Sequence, residues 1–471
     1  MDQAEAVLRA ERATTDQFRK VIALLLMVLG HLVGITAANS NNSSIAPSQD
    51  PHRPRGKGKN GDDKKGQGKK RAPGGQKGRK KRSLELVDNP DEVYPINIDR
   101  SSLPEGNYVK APNERRQVVE LEIKKRVIEY SAEILVDDAG NEFRAPFPEG
   151  VSHPAQYGST VKTHAVYLSQ FQLIPYKRLS QYFRDSCDIG LSEGSIFNFN
   201  KQAYDKLEEV ENRIKAKLGQ EPVINADETG VNIMGKLAWL HVASSPKFVV
   251  FFAHHRRGGE AMHAMGVLPD YKGVVCHDHW KAYFRFDFEH ALCNAHHLRE
   301  LTAAHERDEH AWPDKMRKLL LAMNEAMKEK GGSLDAETAR KWLQKYRKII
   351  ADGELECPAP TERLANATRG RIAKSKSRNL LERLRDFENE TLRFLTEPLV
   401  PFTNNQGEND IRMTKVKEKI SGGFRTLENA GIFCRVRGYI LTCQRLGVSA
   451  HNALQDLFKG SIPPQLEEAL R

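Results

Sequence analysis

Cysteine is scarce in this chain, six in 471 residues, at positions 187, 276, 293, 357, 434 and 443. With no close framework among them, a small disulfide-stapled scaffold is excluded and a reducing cytosol is the expected setting. Long apolar runs are as rare. The one candidate, residues 21–38 (VIALLLMVLGHLVGITAA), follows Arg19 and Lys20 at the lower length limit for a signal peptide or membrane anchor, and Gly30, His31 and Gly34 weaken it. Acidic residues and helix formers precede this run, so the rival reading is an oligomerising helix over about residues 5–34, and the soluble helix is the expectation. Residues 52–82 lack any large apolar side chain, carry eight glycines, and hold 14 Lys/Arg against two Asp. Such a tract cannot bury enough surface to offset its ordering entropy, which predicts disorder. The net charge is +11, yet outside that tract the chain sums to −1. The basic excess is therefore local, either a solubilising linker or a non-specific phosphate-binding arm. Length and a hydrophobic fraction of 39% still leave material for about three domains.

Composition then divides the chain. An N-terminal helix (1–38) gives way to a disordered polar and basic linker (39–82), and then to a small strand-rich domain over 83–155. Within that domain residues 116–136 show β-branched residues in partial alternation, with a hairpin turn at 137–141 (DDAGN). Residues 156–217 change to helical periodicity. A helix over 176–187, a four-residue turn and a third helix capped by Ser192 make a helix-turn-helix pattern, which any helical hairpin also gives.

From residue 218 the order sharpens. Strands at 222–226, 237–243 and 247–253 form a meander; a short helix, an apolar strand at 273–276, another short helix, a strand at 290–292 and a helix from Asn294 follow. The order β-β-β-α-β-α-β-α is that of a ribonuclease-H-like core, here 218–306, completed after a helical insertion (307–397) by a last helix (398–426) and a basic C-terminal region (427–471). In that topology carboxylates on the first and fourth strands lie side by side, and Asp227 and Asp278 fit. Such a pair stays ionised most easily around divalent cations, and oxygen ligands suit magnesium or manganese, two ions about 4 Å apart. Each Asp read alone merely ends a strand. A third carboxylate, Glu408, is expected on the last helix with Arg412 on the same face.

The strings DETG (227–230), HDHWKAY (277–283), CNAHHLREL (293–301) and NNQGENDIRMTKVKEKISGGFRT (404–426), with the linker NSNNSSIAPSQD, resemble in this order the insertion sequence 66 family of transposases. The resemblance implies a DDE-type transposase whose catalytic, metal-holding residues are Asp227, Asp278 and Glu408, at intervals of 51 and 130 residues. It implies DNA, both element ends and target, as partner, a homo-oligomer, and small accessory proteins of the same element. Relatives commonly carry a cysteine-rich zinc segment where residues 83–145 stand; here that segment has no cysteine and offers no such site.

Lys281, Arg299, Arg412, Lys415, Lys419 and Arg425 are candidate phosphate contacts, each alone an ordinary solvated charge. Cys293, His296 and Glu300 read as a structural element beside the active site; zinc there would need His290, His297 or His305 to converge as well. The rivals to a transposase are a nuclease or resolvase without strand transfer, an inactive DNA-binding derivative, and a membrane-anchored protein.

Overall fold

The computed structural model describes residues 84–332, 334–360 and 374–471, so the expected N-terminal helix, the hydrophobic run and the basic tract lie outside the described residues. The chain divides into two units, Gly56–Glu129 and the remainder. In the first, residues 84–129 are irregular apart from a 3-10 turn, Arg100–Ser102, started by Asp99, whose carboxylate accepts the Ser101 N–H at 3.0 Å. Gln117 holds Val87 by accepting from its N–H and donating to its carbonyl, both at 2.7 Å.

Strand forms over much less of residues 116–136 than their alternation predicts. Only β1 (Ile134–Val136) pairs, with β2 (Glu142–Arg144), across the expected DDAGN turn. Asp137 closes that turn by accepting the Asn141 N–H at 2.8 Å. Upstream, Val118, Val119, Leu121 and Val127 stay exposed. β-branched residues become strand only where a partner ladder or an apolar face receives them, and none does so there among the described residues.

Four helices follow: α1 (Ser159–Val166), which runs into a π-turn, α2 (Tyr176–Cys187), α3 (Glu193–Lys206) and α4 (Glu208–Leu218). Pro175 stands at the N-cap of α2, and the Ser192 hydroxyl accepts the Ser195 N–H at 3.0 Å to start α3. The predicted helix, short turn and capped helix are all present.

One mixed five-stranded sheet organises the rest. Its strands are β3 (Val223–Ile233), β4 (Lys236–Ser244), β5 (Val249–His254), β6 (Val274–His277) and β7 (Glu289–Leu292), in the order β5-β4-β3-β6-β7. The first three are antiparallel, and β6 and β7 join in parallel. β3 does not stop at Asp227 as its sequence suggests. It runs on to Ile233 because β4 pairs with it along its length, from Asn225↔Ser244 to Ile233↔Lys236. Met234 and Gly235, both at positive φ, make the tight turn between them, and the Asn232 side chain accepts the Gly235 N–H at 2.8 Å.

The remaining helices are α5 (Gly259–Met265), α6 (Asn294–Asp308), α7 (Ala311–Glu329), α8 (Ala336–Glu356), α9 (Lys376–Asp386), α10 (Glu388–Leu392), α11 (Asn405–Ser421), α12 (Leu427–Arg445), α13 (Ala450–Lys459) and α14 (Pro464–Ala469). They cover both faces of the sheet. Ile224, Ala226, Ala243, Val250 and Val275 point to one face, against the helices before the sheet and the inner side of α12. Their neighbours point the other way: Val231, Val242, Val249 and Phe251 pack with Ile411 and Phe433, while Val274, Cys276 and Ala291 pack with Leu301, Trp312 and Leu381 of the helical insertion. Strands buried on both sides must be apolar at successive positions, which is why β5 and β6 read as unbroken runs.

Candidate active site

The two aspartates are placed by strand register. β3 and β6 pair as Val223↔Val274, Ile224↔Val275 and Asn225↔Cys276, each offset by 51 residues, which is also the interval from Asp227 to Asp278. Two residues beyond the last pair of that ladder, the same offset and the alternation of side chains set both aspartates toward the same face. That face is opposite to Ile224 and Val275, which enter the core with the pre-sheet helices. β6 ends at His277, so Asp278 stands just past it, where its carboxylate accepts the Trp280 N–H at 2.9 Å.

Glu408 arrives from the far side of the insertion, in the first turn of α11. The docking of that helix rests on Asn404, which is buried. Its side-chain amide donates to the Ala226 carbonyl at 2.8 Å, its oxygen accepts from Asn225 at 2.7 Å, and its own N–H donates to Cys293 Sγ at 3.1 Å. Gly407 then faces β3 so closely that a Cβ there would lie 3.4 Å from Asp227 Cβ and 3.1 Å from the Asn404 side chain. A side chain at this position would crowd Asn404 and the strand that carries Asp227. The Glu408 carboxylate, 28% exposed, lies 3.7 Å from Arg299 and 3.8 Å from His296 Nδ1.

Burial raises Asp227 well above the usual carboxylate range, and Glu228, Asp278 and Glu408 add like-charge repulsion. Burial also raises Asp278, against the pull of Arg257 and Arg383. Asp227 and Asp278 accept only backbone N–H bonds among the described residues, from Glu228 at 2.9 Å and from Trp280. A clustered, undercompensated set of carboxylates fits divalent cations with oxygen ligands, magnesium or manganese. The one group of three whose ligand atoms all lie within 4.8 Å among the described residues is Cys293, His296 and Glu408, so the three carboxylates are spread wider than a single-ion cage.

A fourth carboxylate was not legible in the sequence. Glu228 follows Asp227 and therefore points to the opposite face of β3, where its side chain is 1% exposed. Arg257 donates to it at 2.7 and 3.0 Å and the Tyr283 hydroxyl at 2.6 Å. Arg257 lies between two indoles, 4.8 Å from the Trp239 ring and 4.1 Å from Trp280. This network fixes β3 and the loop after Asp278 to each other. Its partners lie 29 and 55 residues away from Glu228, so no local signal pointed to them.

The remaining expected residues divide. Glu408 pairs with Arg299 and not, among the described residues, with Arg412, which is exposed. Lys415 turns inward, donating to the Gly230 carbonyl and to Glu418 at 2.9 Å, so it braces α11 against β3. Lys281, Lys419 and Arg425 are exposed. Cys293 and His296 join Glu408, whereas Glu300 turns away to Arg383 of the insertion. His290 bonds to His277 at 3.0 Å, His297 to Asn294 at 3.1 Å and His305 to the His310 carbonyl at 2.8 Å, so none of the three completes a zinc set. All six cysteines are free and buried. No helix of the described residues is long and apolar enough to cross a membrane.

A stretch of 79 residues is 39% identical to "Uncharacterized protein y4jO" of Sinorhizobium fredii, covering 16% of this chain and 24% of that protein, so the chain spans about a quarter of the length of that relative. Residues 154–431, more than half of the chain, match the Transposase IS66 family, and that span runs from before α1 to α12, taking in the whole five-stranded sheet, Asp227, Asp278 and Glu408. The chain therefore belongs to the Transposase IS66 family.

Proposed function

We propose that this protein is a DDE-type DNA transposase built on a ribonuclease-H-like core, with Asp227, Asp278 and Glu408 as its catalytic carboxylates. The observation that carries the reading is the shared face: the 51-residue register offset aligns the two aspartates, and α11 brings Glu408 over the same strand. Asp227, Asp278 and Glu408 would hold two magnesium or manganese ions, which when bound would polarise the attacking oxygen and stabilise the leaving oxygen of a phosphodiester. Asp227 holds its place by its bond from Glu228, and Asp278 by its bond from Trp280. Arg299 holds one Glu408 oxygen at 3.7 Å. Water cuts the element end to free a 3′-hydroxyl, and that hydroxyl then attacks target DNA, with no covalent protein intermediate.

DNA is the substrate, and two ends held together call for at least a dimer, with residues 1–38 as the expected contact. α2 and α3 as a DNA reader, exposed Lys281, Arg412, Lys419 and Arg425 as phosphate contacts, accessory proteins of the same element, and a cytoplasmic setting near the nucleoid complete the reading. The test uses DNA carrying the terminal inverted repeats that flank the gene. Cleavage and a joined product should require magnesium or manganese and vanish in Asp227→Ala, Asp278→Ala and Glu408→Ala proteins that still bind DNA. Full activity in any one of them overturns the assignment, and cleavage without joining assigns a nuclease instead.

A further inference from the structure

Beside the carboxylate cluster lies a second donor set of different chemistry. Cys293, at the N-cap of α6, and His296, on its first turn, face Glu408 of α11. Cys293 Sγ and His296 Nδ1 are each 3.8 Å from a Glu408 oxygen, and the three ligand atoms lie within 4.8 Å of one another. Tetrahedral zinc, with bonds of about 2.3 Å to sulfur and 2.0–2.1 Å to nitrogen and oxygen, separates its ligand atoms by roughly 3.3–3.7 Å. The observed spacings need only small rotations to reach that.

We propose that Cys293, His296 and Glu408 form a soft-metal site for a zinc-class divalent ion, distinct from the all-oxygen magnesium set and sharing one carboxylate with it.

Two observations besides spacing support the assignment. His296 Nδ1 is buried without a hydrogen-bond partner, although a buried imidazole nitrogen left unpaired is costly. It is directed at the Glu408 carboxylate, and a metal ion between them would satisfy both. Cys293 Sγ already accepts the Asn404 N–H at the N-cap of α6, which fixes the sulfur toward Glu408, and a bound metal would replace its proton, which leaves to solvent. Sulfur and imidazole select zinc over magnesium, and three protein ligands leave a fourth position for water.

Binding itself does not depend on the transposase reading; only the consequence does, that zinc would withdraw Glu408 from magnesium. The experiment titrates cobalt, a spectroscopic stand-in for zinc, into metal-free full-length protein. One equivalent should produce a thiolate-to-cobalt charge-transfer band that zinc then abolishes. Cys293→Ser and His296→Gln, each checked for an unchanged thermal midpoint, should lose the band and weaken zinc binding by about tenfold or more. Asp227→Ala and Cys187→Ser should keep both. A wild-type protein with no band, or a folded Cys293→Ser protein that retains it, overturns the site. Cleavage assays play no part, so failure of the catalytic reading would leave this result standing.

Discussion

The two sides of the candidate site are held by different devices. Asp227 and Asp278 sit on or just beyond adjacent parallel strands, where a backbone ladder repeats one offset and side-chain alternation picks the face. Glu408 sits on a helix that starts 127 residues after Asp278, and its position rests on a few side-chain contacts: Asn404 bridging to Ala226 and Asn225, Gly407 against Asp227, and Lys415 reaching Gly230. A ladder is cooperative, so a single side-chain change seldom moves it. A docked helix has no such reserve, which makes the glutamate corner the sensitive half of the site.

The strongest way to break that contrast is Gly407→Val. Its branched Cβ would meet Asn404 and Asp227 and push α11 outward. Overpacking of this kind costs about 1–3 kcal/mol, and displacing a reacting group by an ångström costs about a hundredfold in rate. Cleavage should fall by about that factor while the far-ultraviolet circular dichroism is unchanged; near-normal cleavage would place Glu408 outside the chemistry.

Asp227→Asn acts on the ladder side and should separate stability from function. Removing a buried charge that its neighbours repel should raise the thermal midpoint in chelator by about 2–4 °C. The same change should abolish the rise that manganese gives the wild-type protein. A variant less stable than wild type in chelator would show that the aspartates do not repel one another as their burial implies.

The smallest effect concerns the strand behind the aspartates. His241 is buried on β4 opposite Glu228, and burial lowers it to about 4. A histidine with a depressed folded value is neutral in the fold but binds a proton when unfolded, so its contribution is present above about pH 6.5 and is lost as the pH falls toward 4. His241→Leu should flatten the fall in stability between those values by up to about one proton in slope, read from denaturant melts at several pH values. An unchanged slope would mean that His241 takes up a proton in the fold.

Much of this was legible in the residues. The alternation of strands and helices and the Ser192 cap carry local signals, because strand burial and capping are short-range; Asp227, Asp278 and Glu408 were singled out by a family resemblance, since each alone looks like an ordinary carboxylate. Other expectations needed a partner that the sequence does not show. Residues 116–133 have the composition of strand, yet no ladder forms there and their apolar side chains remain exposed. Lys415 has the composition of a phosphate contact, yet it braces α11, and Glu408 takes Arg299 rather than Arg412.

By itself the sequence determined that the net basic excess is carried by residues 52–82, since charge is written in residue type. Tertiary structure alone decided that a 51-residue interval is a strand register, that Glu228 serves the opposite face from Asp227, and that Cys293 and His296 meet Glu408. The reason is physical: these relations depend on which strand pairs with which and on which helix docks where, and both are settled only when the two faces of the sheet are buried together.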